Sequence, residues 1–440
     1  MESLHLTRDL LRALHEGARN PGDIVPVVIS HLFDLCPDCA EEFDAFQREL
    51  RSAADPYGPS FERVSAFLGQ AKEALAQERQ ETAPLLQVLL AAPAEERLPL
   101  VEKQKRRFRG ATLAEQLLAA ARERIPDWTA EAMALAVLAR AVLQHSEISA
   151  VTIDLYSRAL ATIANITRVR GNPRAAVETF AHARYLSRIN GGGDRMVTAE
   201  LDSLEGSLKR DLGEWEQAVR LLRRSIMTYL SLGETVKAAA SMVSLGLVHC
   251  EQEAPFEAIR VTEEALELLD AEQPLLLLQA HHNLACYLAE LGEFEAAQEE
   301  LAFCRPFLDG QRRQILELRV SWVEAKVARG LGDFRKAEEL FLSTRFGFLN
   351  AGIAYDTALV SLELASLYLE KRRTAEVKQL AGEIVSVFEE QQIHREALAA
   401  LLLFRDAATL EQVTLALIEE LSRYLARASR DPALAFRPPF

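Results

Sequence analysis

The sequence has no run of about 18 uncharged apolar residues, so a membrane-spanning helix is not expected. Its first residues, Met1-Glu2-Ser3-Leu4-His5, have no apolar stretch of signal-peptide kind, which makes the cytoplasm the expected location. Cysteine is scarce. The five present, Cys36, Cys39, Cys250, Cys286 and Cys304, are odd in number and spread over 440 residues, which is no disulfide framework and fits a reducing compartment. Basic charge is also short, 50 Lys and Arg against 65 Asp and Glu for a net charge of -15, and a broad phosphate-binding face needs the opposite balance. The one basic run, Lys103 to Arg109 around Phe108, reads as a solvated helix end, so neither nucleic acid nor membrane is an expected partner. No glycine-rich phosphate loop, His-Glu-x-x-His helix or nucleophile elbow occurs, and no catalysis is expected.

What is present is a helical composition, 49% hydrophobic and rich in Ala, Leu, Glu and Arg. One phrase recurs through it. Gly292-Glu293-Phe294 with Ala297 is echoed by Gly171-Asn172-Pro173 with Ala176, Gly213-Glu214-Trp215 with Ala218, Glu253-Ala254-Pro255 with Ala258, and Gly332-Asp333-Phe334 with Ala337. A worn copy, Arg372-Arg373-Thr374 with Val377, closes the series, and the steps between the six anchors are 42, 40, 39, 40 and 40 residues. A fixed period in this range marks a solenoid of stacked units. The phrase has a local reason: Gly accepts the left-handed conformation that ends one helix, the acidic residue favours the start of the next, the aromatic packs across the pair, and the small Ala lets the two helices approach. Each period from about 150 to 392 is read as two apolar-periodic helices joined by the anchor.

The repeats resemble the tetratricopeptide repeat family, whose motif also asks for a Leu-Gly pair in the first helix. Ser244-Leu245-Gly246, Leu284-Ala285 with Tyr287, and Ala365 to Tyr368 sit at the matching positions. The resemblance covers about 240 residues, and a period near 40 instead of the family's ~34 implies longer helices. It also implies a groove lined by first helices that takes a peptide or a partner protein. His282, Asn283 and Lys326 lie on first helices and are the candidate groove residues. The pair His281-His282, with His249 one repeat earlier, is read as groove or packing histidines and not as a second metal site. Cys286 and Cys304 are read as small apolar residues, and Trp215 and Trp322 as structural aromatics.

Residues 1–53 form a separate short helical unit. Cys36 and Cys39 are spaced to grip one tetrahedral ion from a turn, Pro37 suits that turn, and His31 lies about one helical turn upstream. A closed site needs a fourth ligand, for which His5 and His15 are the candidates. This stretch resembles the zinc-binding anti-sigma factor domain, whose pattern is an upstream His or Cys followed by His-x3-Cys-x2-Cys. The resemblance assigns His31, Cys36 and Cys39 to the second to fourth ligand positions and His5, 26 residues before His31, to the first; the gap from His31 to Cys36 holds four residues and not three. It implies structural zinc and a sigma factor or other regulator as a candidate partner.

The expected architecture is therefore all-α. A small zinc-stapled three-helix module (1–53) is followed by a helical region (54–150) whose last two helices read as a degenerate repeat, by six hairpins of a right-handed α-α superhelical solenoid (151–392), and by C-terminal capping helices with a tail (393–440). The expected function is that of a protein-interaction scaffold or regulatory adaptor. A reading of another class makes the N-terminal unit a zinc-thiolate redox sensor or a metal-dependent enzyme.

Overall fold

The structure is a computed structural model that describes residues 45, 58–125, 129–190, 194–308, 314–391, 393–430 and 434–437. Every regular element among the described residues is helical. The helices are α1 (Gly58–Ala91), α2 (Ala94–Lys103), α3 (Ala111–Arg124), α4 (Thr129–Gln144), α5 (Ala150–Val169), α6 (Pro173–Ile189), α7 (Arg195–Asp211), α8 (Trp215–Ser231) and α9 (Thr235–Glu251). They continue as α10 (Pro255–Leu266), α11 (Pro274–Leu291), α12 (Phe294–Cys304), α13 (Gln314–Gly330), α14 (Phe334–Asn350), α15 (Ala354–Glu370), α16 (Thr374–Glu390), α17 (Arg395–Thr409) and α18 (Leu415–Ala428). Periodicity alone suggests two helices between Phe61 and Leu90, yet α1 runs through Pro84 as one helix of 34 residues.

Two compact units result. One comprises residues up to Arg170 with Ala175–Leu208 and Arg220–Ser241, and the other comprises Gly171–Arg174, Lys209–Val219 and Met242–Phe440. In the first, α3 and α4 pack as a pair, and α4 carries α5. A buried carboxylate helps to hold it: Glu200 on α7 meets Arg122 on α3 at 2.6 Å and Arg158 on α5 at 3.0 Å. Burial alone would raise the Glu200 pKa, but the two guanidinium groups hold it below the usual carboxylate range. Asp202, 1% exposed, is clamped in the same way by Arg184 and Arg224.

The hairpins form because the anchor turns share one geometry. Gly171, Gly213, Gly292 and Gly332 all have φ between 74 and 83°. At Gly292 the turn is closed by two backbone bonds, Gly292 N–H to the Ala289 carbonyl at 3.2 Å and Glu293 N–H to the Leu288 carbonyl at 3.0 Å, the pairing that satisfies the last carbonyls of a helix. Where glycine is missing the geometry persists. Glu253 and Arg372 have φ of 59°, and their turns make the same two bonds. A further residue, Glu411 with φ 57°, falls 39 residues after Arg372 at the end of α17, and Gly233 and Gly352, between repeats, close the same kind of turn.

The small residue five places after each anchor is buried: Ala176, Ala218, Ala258, Ala297 and Ala337 are 0% exposed and Val377 3%. The aromatic does more than pack within its own pair. Phe294 packs on the cluster shared by α11 and α12, and its ring also lies against Gly330 at the end of α13, while Lys371 Nζ at the end of α15 sits 3.3 Å from the centre of the Phe334 ring. Each therefore joins its repeat to the next first helix. Gly246 of the Leu-Gly pair has a comparable function, since a Cβ there would stand 2.5 Å from Thr262 Oγ1 and 3.3 Å from Tyr287 Oη. Most repeat helices run 17 residues, which accounts for the long period.

The turns and the aromatic contact generate opposite expectations for glycine. Replacing Glu253 or Arg372 by Gly relieves a left-handed L-residue and should raise stability by up to about 1 kcal/mol. Gly330→Ala gains about 1 kcal/mol of helix propensity, but its Cβ would meet the Phe294 ring at 2.3 Å, and overpacking of that kind costs about 1–3 kcal/mol. A net loss is expected, measurable as a lowered midpoint in urea.

Candidate functional site on the first helices

In the second unit, α11, α13 and α15 are successive first helices, and residues 37 apart meet between α13 and α15. Arg319 reaches Asp356 at 3.5 Å, Lys326 Nζ reaches Glu363 at 3.0 Å, and Arg329 donates to Ser366 Oγ at 2.9 Å. Arg329 also pairs with Glu370. These rungs form a ladder that fixes the register of the two helices. The Glu363 carboxylate raises the Lys326 ammonium above the ordinary lysine range, which keeps it charged.

Between α11 and α13 the ladder is interrupted. Two buried polar atoms of α11 have no hydrogen-bond partner among the described residues, Nε2 of His282 and Nδ2 of Asn283, and neither has Nε1 of Trp322 on α13, whose ring packs edge-on against Phe348 of α14. Asn283 is 7% exposed, and its Oδ1 lies 3.4 Å from His282 Nδ1. Lys326 Nζ stands 5.5 Å from the centre of the Trp322 ring. A buried amide or indole N–H without a partner costs about 1–3 kcal/mol, so a strip of them is a place where an incoming ligand gains by supplying acceptors. Such a strip, with a lysine beside an aromatic ring, can grip the backbone or polar side chains of an extended peptide; no group in it is arranged as a nucleophile with a base.

The three expected groove residues lie on adjoining first helices, His282 and Asn283 on α11 and Lys326 on α13. Trp322, read from sequence as a structural aromatic, and Arg319, not singled out in the sequence, lie on the same helix as Lys326. Their i, i+3, i+7 spacing with Lys326 was the available signal. The two neighbouring histidines diverge: His281 Nδ1 is 2.7 Å from Glu300 on α12 and its ring stacks on Phe303 at 4.8 Å, while His282 faces Asn283. The cysteines behave as apolar residues. Burial pushes the Cys286 and Cys304 thiols up to about 12, and Cys250, raised still further, donates to Glu290 at 3.4 Å. Among the described residues no group of three or more His, Cys, Asp or Glu could hold a metal ion, and no helix is long and apolar enough to cross a membrane. His5, His31, Cys36 and Cys39, with the alternative ligand His15, lie outside the described residues.

Comparison with known proteins adds the fold. No known family profile matches the chain, and no curated protein does. Solved structures do. A Rap protein complexed with Competence and Sporulation Factor superposes with a TM-score of 0.57 over 73% of this chain and 88% of that one, at 11% identity. The apo form of RapI gives 0.50 over 71% and 86%, at 13% identity. A signal transduction ATPase with a tetratricopeptide repeat sensor from Pyrococcus horikoshii also gives 0.50, at 14% identity, and matches 96% of this chain but 65% of that one. The chain has a tetratricopeptide-like helical repeat fold.

Burial depresses the His282 pKa below its ordinary 6.5. The folded state then binds this proton more weakly than the unfolded chain, so the stabilisation is present above about pH 6.5 and is lost as pH falls below it. Asp356 has the opposite sense: burial raises it above 3.8 against the pull of Arg319, so its ionisation opposes folding at neutral pH and the opposition is relieved at lower pH. His282→Gln should flatten the fall in unfolding free energy between about pH 7 and pH 5, as followed by urea titration at each pH.

Proposed function

We propose that this protein is a cytoplasmic regulatory adaptor that binds a peptide or an extended segment of a partner protein along the first helices α11, α13 and α15, and that it does so without catalysis. The observation that carries the reading is the interrupted ladder, in which His282, Asn283 and Trp322 present unpaired buried polar atoms beside Lys326. The repeat fold supports it, since a groove of first helices is the surface such solenoids offer. A Rap protein of the same fold has been solved complexed with Competence and Sporulation Factor.

The partner need not be identified for the test. A phage-displayed heptapeptide library panned on the full chain should yield an enriched consensus. Asn283→Ala and Lys326→Ala should each weaken a selected peptide by about tenfold, as the loss of a charged or buried hydrogen bond implies; Lys326→Ala should also lower the melting temperature, because it removes the rung to Glu363, so its binding is measured below that temperature. Selected peptides that bind both variants as tightly as the unaltered chain would remove α11 and α13 from the site.

A second proposal comes from the sequence pattern of residues 1–53 alone: His5 or His15 with His31, Cys36 and Cys39 holds one structural zinc, and this module selects a sigma factor or another regulator. Metal analysis of the full chain should find one zinc per chain, and none in the Cys36→Ser, Cys39→Ser double variant. Reversible zinc release by peroxide, with altered partner binding, would instead support the redox-sensor reading. Co-purification of candidate regulators with and without residues 1–53 tests the partner half of the proposal.

A further inference from the structure

The last helix does not continue the repeat. In six hairpins the second helix begins two residues after the left-handed turn residue, as at Phe294 after Gly292 and Thr374 after Arg372. After Glu411 the helix begins four residues on, at Leu415, with Thr414 as its N-cap. The two extra residues re-aim the chain. α18 has its main contacts with α15 and α17, which are both first helices in the phase of the repeat, and not with the second helix α16. α15, its main partner, is also one side of the ladder.

Two different interactions hold it there. Along its length an apolar stripe, Leu417, Ile418, Leu421 and Leu425, is buried in the cluster that includes α15 and α17. At its end, Arg430 pairs with Glu251 at the end of α9, and Glu251 also lies 3.7 Å from Arg210. The Ser429 carbonyl comes close to Gly171, where an added Cβ would lie 3.7 Å away. A helix of 14 residues, about 21 Å long, thus runs from α15 to turns that end much earlier helices. The tail folds back over it: Tyr424 Oη donates to the Leu434 carbonyl at 3.2 Å, the Tyr424 and Phe436 rings are 4.9 Å apart, and Phe436 N–H donates to Glu396 at 3.0 Å.

We propose that α18 is a releasable strap over the first-helix face, which undocks as one unit and so controls access to α15. α16 packs against both α15 and α17, so removing it would separate two neighbours; α18 ends the array, and its release breaks only its own contacts with α15 and α17 and leaves the six hairpins before it paired. Its connection to α17 is exposed, with Leu410 66% exposed, and its N-cap bond from Leu417 N–H to Thr414 Oγ1 at 3.2 Å lies within the strap and travels with it. The Arg430–Glu251 pair is the latch: it joins the strap's end to a helix 179 residues earlier and makes no contribution inside α18. Nothing in this inference requires the groove to take a peptide.

Amide hydrogen exchange on the full chain, without ligand, tests it. The amides of Leu415–Ala428 should exchange together, about tenfold or more faster than those of α15 and α16, as a separate cooperative unit does. Arg430→Glu should accelerate the strap by about fivefold, the size of a partly exposed ion pair, while α16 is unchanged and Arg430→Lys behaves as the unaltered chain. If the strap amides exchange in one class with α15 and α16, α18 is part of the core and the proposal fails. Faster exchange that Arg430→Glu does not alter is fraying of a helix end, and it overturns the latch and with it the strap. Because no ligand is present, failure here leaves the peptide-binding reading standing.

Discussion

The left-handed turn residue that returns about every 40 positions is the constraint on which the hairpins depend. A helix that must stop, reverse and pack its successor against itself needs its last carbonyls satisfied within two residues, and the paired backbone bonds at each anchor do this. Glu253, Arg372 and Glu411 show that the constraint is geometric and not chemical, since each adopts a strained conformation that glycine would adopt freely. At Arg372 packing fixes the turn from both sides, through buried Val377 five places on and through the Phe334 ring of the preceding repeat, which Lys371 covers.

That geometry explains what was legible in the sequence. The period, the hairpin phase and the small buried residue could be read because each is a local requirement stated by one or two residue types. The reach of the aromatic could not, since only packing shows that Phe294 also lies on Gly330 of the next repeat. The placement of α18 was hidden for a similar reason. Its amphipathic pattern identifies a helix, but the two extra residues after Glu411 that send it to the first-helix side carry no signal in themselves. In the proposed site, the place of His282, Asn283 and Lys326 on first helices was legible from the repeat phase. Trp322 reads as a structural aromatic and packs as one against Phe348, and only the structure shows its unpartnered indole nitrogen.

The rungs between α13 and α15 and the gap between α11 and α13 are two outcomes of the same design. Where charged side chains on successive first helices find each other, the face is stiff and electrostatically closed; where they do not, polar atoms remain buried and unpaired at a cost to stability. The strap shares α15 with the ladder, so the stiff part of the face and the covered part meet on one helix.

The common separation of 37 residues in the α13–α15 rungs has a further consequence for how this chain can vary. Three independent contacts share one offset, so a single residue inserted or deleted between Asn350 and Ala354, the turn that links α14 to α15, would rotate α15 by about 100° and break all three together. Side chains on this face are free to exchange one at a time, while the length of that turn is not. Homologues should therefore drift in sequence along the groove long before they drift in spacing.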